Sequence, residues 1–293
     1  MSRLSGLSGL SVLSLKEFYS YKPLNLDIHK NLIELCKNNY SNSKTINTSG
    51  WRRVNTRAQT WISSNKKEKN SALRTDIRMC LNVINKGNFN KIYNKLKNLK
   101  ITTRVHMMML IDQIFTNVVM APTFVKIYAV LCKNLSSYYI KSRIDGDLIY
   151  FRKLFLKKCK ITFEILIKLK DEEEIRGTIF KFRENLNNYI LFLGELYQKD
   201  ILMDKVINMI FSKLIGTTTP QKWYQVKLIC ELMKMVGKKL YSRKYDQITV
   251  HFNKLLKIAE NKNKKYKMRE ICLIDDLVCV KNEEQWVKGK NQY

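Results

Sequence analysis

The chain has 293 residues, 45% of them hydrophobic, with only 3 prolines and 10 glycines, so one large core or a stacked array of long helices is within reach. Its 54 lysines and arginines face 25 acids, a formal charge of +29, which favours a polyanionic partner because each neutralised phosphate releases a condensed counterion. Without a run of about eighteen apolar residues no membrane span is expected; 7 widely spaced cysteines lacking a Cys-x-x-Cys pair fit reduced thiols rather than a disulfide framework.

In chain order, residues 1–35 form an N-terminal tail. Its opening, MSRLSGLSGLSVLSL, has no acidic group and only Arg3 ahead of Lys16. It reads either as a tail carrying a short recognition helix or as a transit-type targeting peptide, and the single arginine favours the tail. Residues 36–71 are rich in Asn, Ser, Thr and Lys, with Trp51 and Trp61 in polar company. That is the composition of an extended linker that touches a partner through its aromatics.

Residues 72–288 read as one helical domain. Apolar residues at three- to four-residue spacing predict helices over 73–84, 88–99, 103–119, 122–136, 147–170, 180–198, 201–215, 221–238, 243–261 and 266–280. Local chemistry supports several boundaries. Lys86-Gly87-Asn88 is a turn, Thr102-Thr103 can cap the third helix, and Pro122 suits a first helical turn. Asp145-Gly146-Asp147 offers a cap before Leu148, Thr219-Pro220 another start, and Asp171 to Glu174 a solvated loop. Strand-like alternation never persists. The expected fold is therefore all-α, a solenoid of about five antiparallel helix pairs behind an extended N-terminal segment; an ordinary helical bundle would have the same periodicity.

Signals for catalysis are missing. The sequence carries no Gly-rich phosphate loop, nucleophile elbow, paired-carboxylate constellation or helicase motif. His29, His106 and His251 stand at no ligand spacing from one another or from a cysteine. No enzyme, no metal and no cofactor is expected. The basic excess points to RNA, with Lys262, Lys264, Lys265 and Lys267 as its densest cluster, although solvated lysine-rich helix faces would account for part of the charge.

Several short pieces share an order with one known family. They are Ile77-Arg78-x-x-Leu81-Asn82-x-Ile84 with Asn88-Phe89; Pro122-x-Phe124-x-x-x-Tyr128-x-x-x-Cys132; Phe151-Arg152-Lys153-Leu154-x-Leu156-x-x-Cys159-x-x-x-Phe163-Glu164; Phe192-Leu193-Gly194-Glu195-Leu196-Tyr197 with Ile201-Leu202 opening the next helix; Val236-Gly237-Lys238-Lys239-Leu240; and Gln285-Trp286-Val287. Taken in order, they resemble the middle domain of eukaryotic translation initiation factor 4 gamma. That family's scaffolds are typically far longer. With the Lys/Asn-rich usage, the resemblance leads to the expectation of a minimal version from a protist or a large DNA virus.

The resemblance implies that the all-α solenoid is HEAT-like and serves as a cytoplasmic scaffold, without catalysis of its own, that clamps the lobes of a 4A-type DEAD-box RNA helicase and contacts RNA. It implies helicase contacts at Trp51 and Arg52, and at the start of the last helix, where Lys267, Arg269 and Ile271 stand without the family's aromatic residue. Full-length members also carry a Tyr-x-x-x-x-Leu-hydrophobic motif for a 4E-type cap-binding protein. Leu13, Phe18 and Tyr19 keep that spacing with the tyrosine replaced. Two other readings stay open: a middle-domain protein of splicing or message surveillance gripping its own DEAD-box helicase, and a stand-alone RNA-binding helical repeat protein.

Overall fold

In a computed structural model, the structure describes residues 61–141, 146–168, 179–216, 223–243, 247–260, 268–284 and 286. Ten α-helices lie among them: α1 (Trp61–Val83), α2 (Phe89–Asn98), α3 (Arg104–Met120), α4 (Val125–Leu135), α5 (Phe151–Lys168), α6 (Ile179–Gln198), α7 (Asp204–Ile215), α8 (Trp223–Ser242), α9 (Gln247–Glu260) and α10 (Met268–Glu283). The fold is an all-α, HEAT-like stack. Helices α1, α3, α6, α8 and α10 lie side by side, each against the next, while α2, α4, α7 and α9 pack on that row.

The turns are built by short polar side chains. Asn88 Oδ1 accepts the Asn85 N–H at 2.8 Å, Asn85 Oδ1 accepts the N–H groups of Gly87 and Asn88, and Asn88 Nδ2 donates to Val83 O at 2.7 Å. These bonds satisfy groups orphaned where α1 ends and α2 begins. Thr103 has extended backbone and its Oγ1 accepts the His106 N–H at 3.2 Å, a side-chain cap for α3. Pro122 opens a single 3-10 turn, Pro122–Phe124, and the chain bends by 118° between α3 and α4. Together α3 and α4 are apolar, but no single described helix is long and apolar enough to cross a membrane.

Aromatic packing joins the early repeats to the middle of the stack. The Phe115 ring of α3 lies 5.6 Å from Phe155 of α5, and 5.9 and 6.0 Å from Tyr189 and Phe192 of α6. Tyr189 is fully buried, and its hydroxyl donates to Cys159 O at 2.6 Å, so its polar atom is satisfied. Above this cluster, Lys158 is buried with its ammonium 2.6 Å from Asp112.

Three boundaries differ from the sequence reading. The first helix begins at Trp61, inside the stretch read as an extended linker, so residues 61–71 are helical. The fifth helix begins at Phe151, and Leu148–Tyr150 is strand β2, antiparallel to strand β1 (Tyr139–Lys141) with Tyr139 opposite Tyr150. Asp145-Gly146-Asp147 therefore precedes a strand and caps no helix at Leu148. Ile140 is buried and Ile149 half-buried while their strand neighbours are exposed, the alternation of a strand rather than a helix. Ile201 and Leu202 are buried in the turn before α7, which starts at Asp204. Thr219-Pro220 and the Asp171–Glu174 run lie outside the described residues.

Candidate interaction surfaces at the last repeat and its neighbours

Helix α10 is oriented by what it buries. Glu270, Ile274 and Leu277 face inward at helical spacing. That phase turns Met268 and Arg269 outward, with Met268 72% exposed, and leaves Ile271 half-buried on the flank. The first turn of α10 thus presents a flexible apolar side chain, a guanidinium and part of an isoleucine. An apolar pair around an arginine is common chemistry at protein interfaces.

The far end of α10 is closed. Past it, the Trp286 N–H donates to Lys281 O and the indole Nε1–H donates to Glu284 Oε2 at 2.8 Å. The indole packs on Gly237 of α8, with the Tyr241 ring 5.6 Å away, and is itself buried. The Lys281 ammonium sits 4.4 Å from the Phe252 ring, tying α10 to α9.

A second polar assembly locks the corner between α6, α7 and α8. Asp200 has a left-handed backbone, φ 58°, and its carboxylate meets Lys239 at 2.9 Å and Arg243 at 2.6 Å. Arg243 also reaches Asp204 at 3.0 Å, which accepts the Tyr197 hydroxyl at 2.7 Å. The cationic donors hold the Asp200 carboxyl below its ordinary value, while burial and the Asp204 carboxylate push the Tyr197 phenol up. These charges are spent on one another and serve position rather than chemistry. Among the described residues, no group of three or more His, Cys, Asp and Glu side chains could hold a metal ion.

Residues 73–284 match the model of the MIF4G domain. The chain belongs to the MIF4G domain family. Translation initiation factor 4G of Arabidopsis thaliana is 27% identical over 184 residues, which cover 58% of this chain and 11% of that protein. Its counterpart from Oryza sativa is 25% identical over 233 residues, 74% of this chain and 13% of that protein. The chain thus matches only a small part of these plant relatives. The solved MIF4G domain of Trypanosoma cruzi translation initiation factor EIF4G5 superposes with TM-score 0.49 at 17% identity, covering 73% of this chain and 97% of that one.

Of the helicase contacts that the sequence suggests, Arg269 and Ile271 fall on this MIF4G domain's exposed α10 turn. Trp51, Arg52 and Lys267 lie outside the described residues, as do Leu13, Phe18 and Tyr19 and the lysines 262, 264 and 265. Sequence reading passed over the Asp200 corner and the tyrosine-faced hairpin. The corner had one faint signal, the Lys-Asp pair that ends α6 before an apolar turn.

Proposed function

We propose that this chain is a translation initiation scaffold that binds a 4A-type DEAD-box helicase and RNA, and engages a 4E-type cap-binding protein through its N-terminal tail. The observation that carries this reading is the MIF4G match over residues 73–284 together with relatives named translation initiation factor 4G. Arg269 and Ile271, with Lys267 beside them, supply one helicase contact, and Trp51 with Arg52 supplies the other. A rigid stack spanning two contact points acts without catalysing anything itself. If it binds the closed-competent arrangement of the helicase lobes better than the open one, it raises the population of the former. Leu13, Phe18 and Tyr19 share one face if that segment is helical, the arrangement a hydrophobic groove would take. The work is assigned to the cytoplasm, where message is recruited to ribosomes.

The immobilised full chain tests this against purified 4A-type and 4E-type proteins. Both should be captured, helicase capture should fall in Trp51→Ala and in Arg269→Glu, and 4E capture should fall in Leu13→Ala/Phe18→Ala. Failure to capture any 4A-type helicase would reject the reading.

A further inference from the structure

The hairpin between α4 and α5 is placed like a small platform. Its two strands turn Tyr139, Lys141, Leu148 and Tyr150 outward, and all four are exposed. Tyr139 and Tyr150 stand directly opposite each other with ring centroids 5.6 Å apart, and they are 53% and 43% exposed. The hairpin is held from both ends. Tyr138 N–H donates to Leu135 O, the Phe151 N–H donates to Tyr138 O at 2.9 Å, and Phe151 is fully buried. Two large rings are thus kept in water on a fixed backbone.

Basic residues outnumber acids around it. From Ile77 to Tyr150 eleven lysines and arginines stand against three acids; Asp112 is bound to Lys158 of α5, and Asp145 and Asp147 lie between the two strands in the sequence. The Tyr93 hydroxyl donates to Asn134 O at 3.1 Å, which brings the Lys97 end of α2 beside the last turn of α4. Exposed Lys133 sits in that turn, and β1 with Lys141 starts within a few residues of it.

We propose that this hairpin face binds single-stranded RNA, two bases stacking on Tyr139 and Tyr150 while Lys97, Lys133 and Lys141 carry the backbone phosphates. Aromatic rings beside cationic side chains are what sequence-tolerant strand binding uses. Bases stacked inside a duplex cannot reach such rings, so single strands are selected. The proposal rests on the reading of the chain as an RNA-handling scaffold, and it places the strand on the second repeat rather than on the lysines between α9 and α10.

Fluorescence anisotropy of labelled oligouridine titrated with the full chain is the test, run across a salt series. Tyr139→Ala/Tyr150→Ala should weaken binding by about tenfold or more with an unchanged salt slope, and Tyr139→Phe/Tyr150→Phe should bind like the parent. Lys141→Ala should reduce the slope by about one. Leu148→Asp, an exposed change that leaves both rings, should also weaken binding and keeps the test open if the alanine pair unfolds. Parent-like affinity of the folded alanine pair, or equal binding of duplex RNA, would overturn the proposal. So would an alanine pair that keeps RNA but loses the 4A-type helicase, since the face would then dock protein. Helicase capture by the parent chain reads the scaffold separately, so loss of one does not imply loss of the other.

Discussion

The six-membered ring of Trp286 lies against the bare Cα of Gly237, so that a methyl group built there would overlap Cη2 and Cζ3 of the indole. A glycine inside a helix is ordinarily a cost of about 0.5–1 kcal/mol relative to alanine. Here it lets the end of the chain fold back on α8 and cover Tyr241. Gly237→Ala should therefore destabilise by about 1–3 kcal/mol, and Trp286→Ala by about 3 kcal/mol. In the Trp286→Ala background the glycine has nothing to admit, and Gly237→Ala should become neutral or mildly stabilising. Urea unfolding of the four variants measures the cycle, and additivity of the two single changes would contradict the packing argument.

His251 makes stability depend on pH. It is buried, its ring meets Asn208 Oδ1 at 2.6 Å and lies 5.5 Å from the Phe211 ring, and its Nδ1 has no partner. Taking Nε2 as the donor to Asn208 leaves Nδ1 as the site for a second proton, where it would create a buried N–H without an acceptor. Burial, helped by Lys254, lowers its pKa from 6.5 to about 4. The unfolded chain then binds the proton first as pH falls, so the stabilisation is complete above about pH 6.5 and is lost progressively towards pH 4. The upper bound is about 3 kcal/mol. Comparing unfolding at pH 7 and pH 5 should show this loss, and His251→Gln should flatten it.

Asp200 combines a backbone requirement with an ion pair. Asp200→Asn keeps a residue that tolerates φ 58° and loses only charge, on a side chain 55% exposed. It should cost under about 1 kcal/mol. Asp200→Ala also forces a left-handed alanine and should cost about 1 kcal/mol more. Because Lys239 and Arg243 depress this carboxyl, its contribution is present above the ordinary carboxylate range and fades as pH falls through and below it. Thermal melts of both variants at low and high salt separate the two effects.

At the α2–α3 junction, Thr103→Ala should cost about 1 kcal/mol by removing the acceptor for the His106 N–H. His106 links the same junction to α1, with its ring accepting from Thr102 N and meeting Asn70 Oδ1 at 3.0 Å. Hydrogen exchange should accordingly speed up first at the start of α3.

The helices were legible because each buries a stripe, as Leu81, Ile84, Ile92 and Leu96 do in the first pair, and a stripe leaves a period in the sequence. Caps were legible where one residue does the work, as at Thr103. The hairpin was not. Leu148-Ile149-Tyr150 runs straight into the helical period of α5, and three residues are too few for alternation to show. Its partner strand lies in what reads as the loop after α4. The meeting of Gly237 with Trp286 could not be read either, because contact between segments so far apart in the chain leaves no local pattern. Of the contact residues that the family resemblance suggests, Arg269 and Ile271 lie among the described residues and the others lie outside them.

The proposed function has this MIF4G domain hold a helicase in a working arrangement. Titrating the full chain into the RNA-stimulated ATPase reaction of a 4A-type helicase tests it most directly. A saturable rise in turnover is expected, blunted by Arg269→Glu and by Trp51→Ala. An unchanged rate at concentrations that saturate binding, or no binding at all, would contradict it.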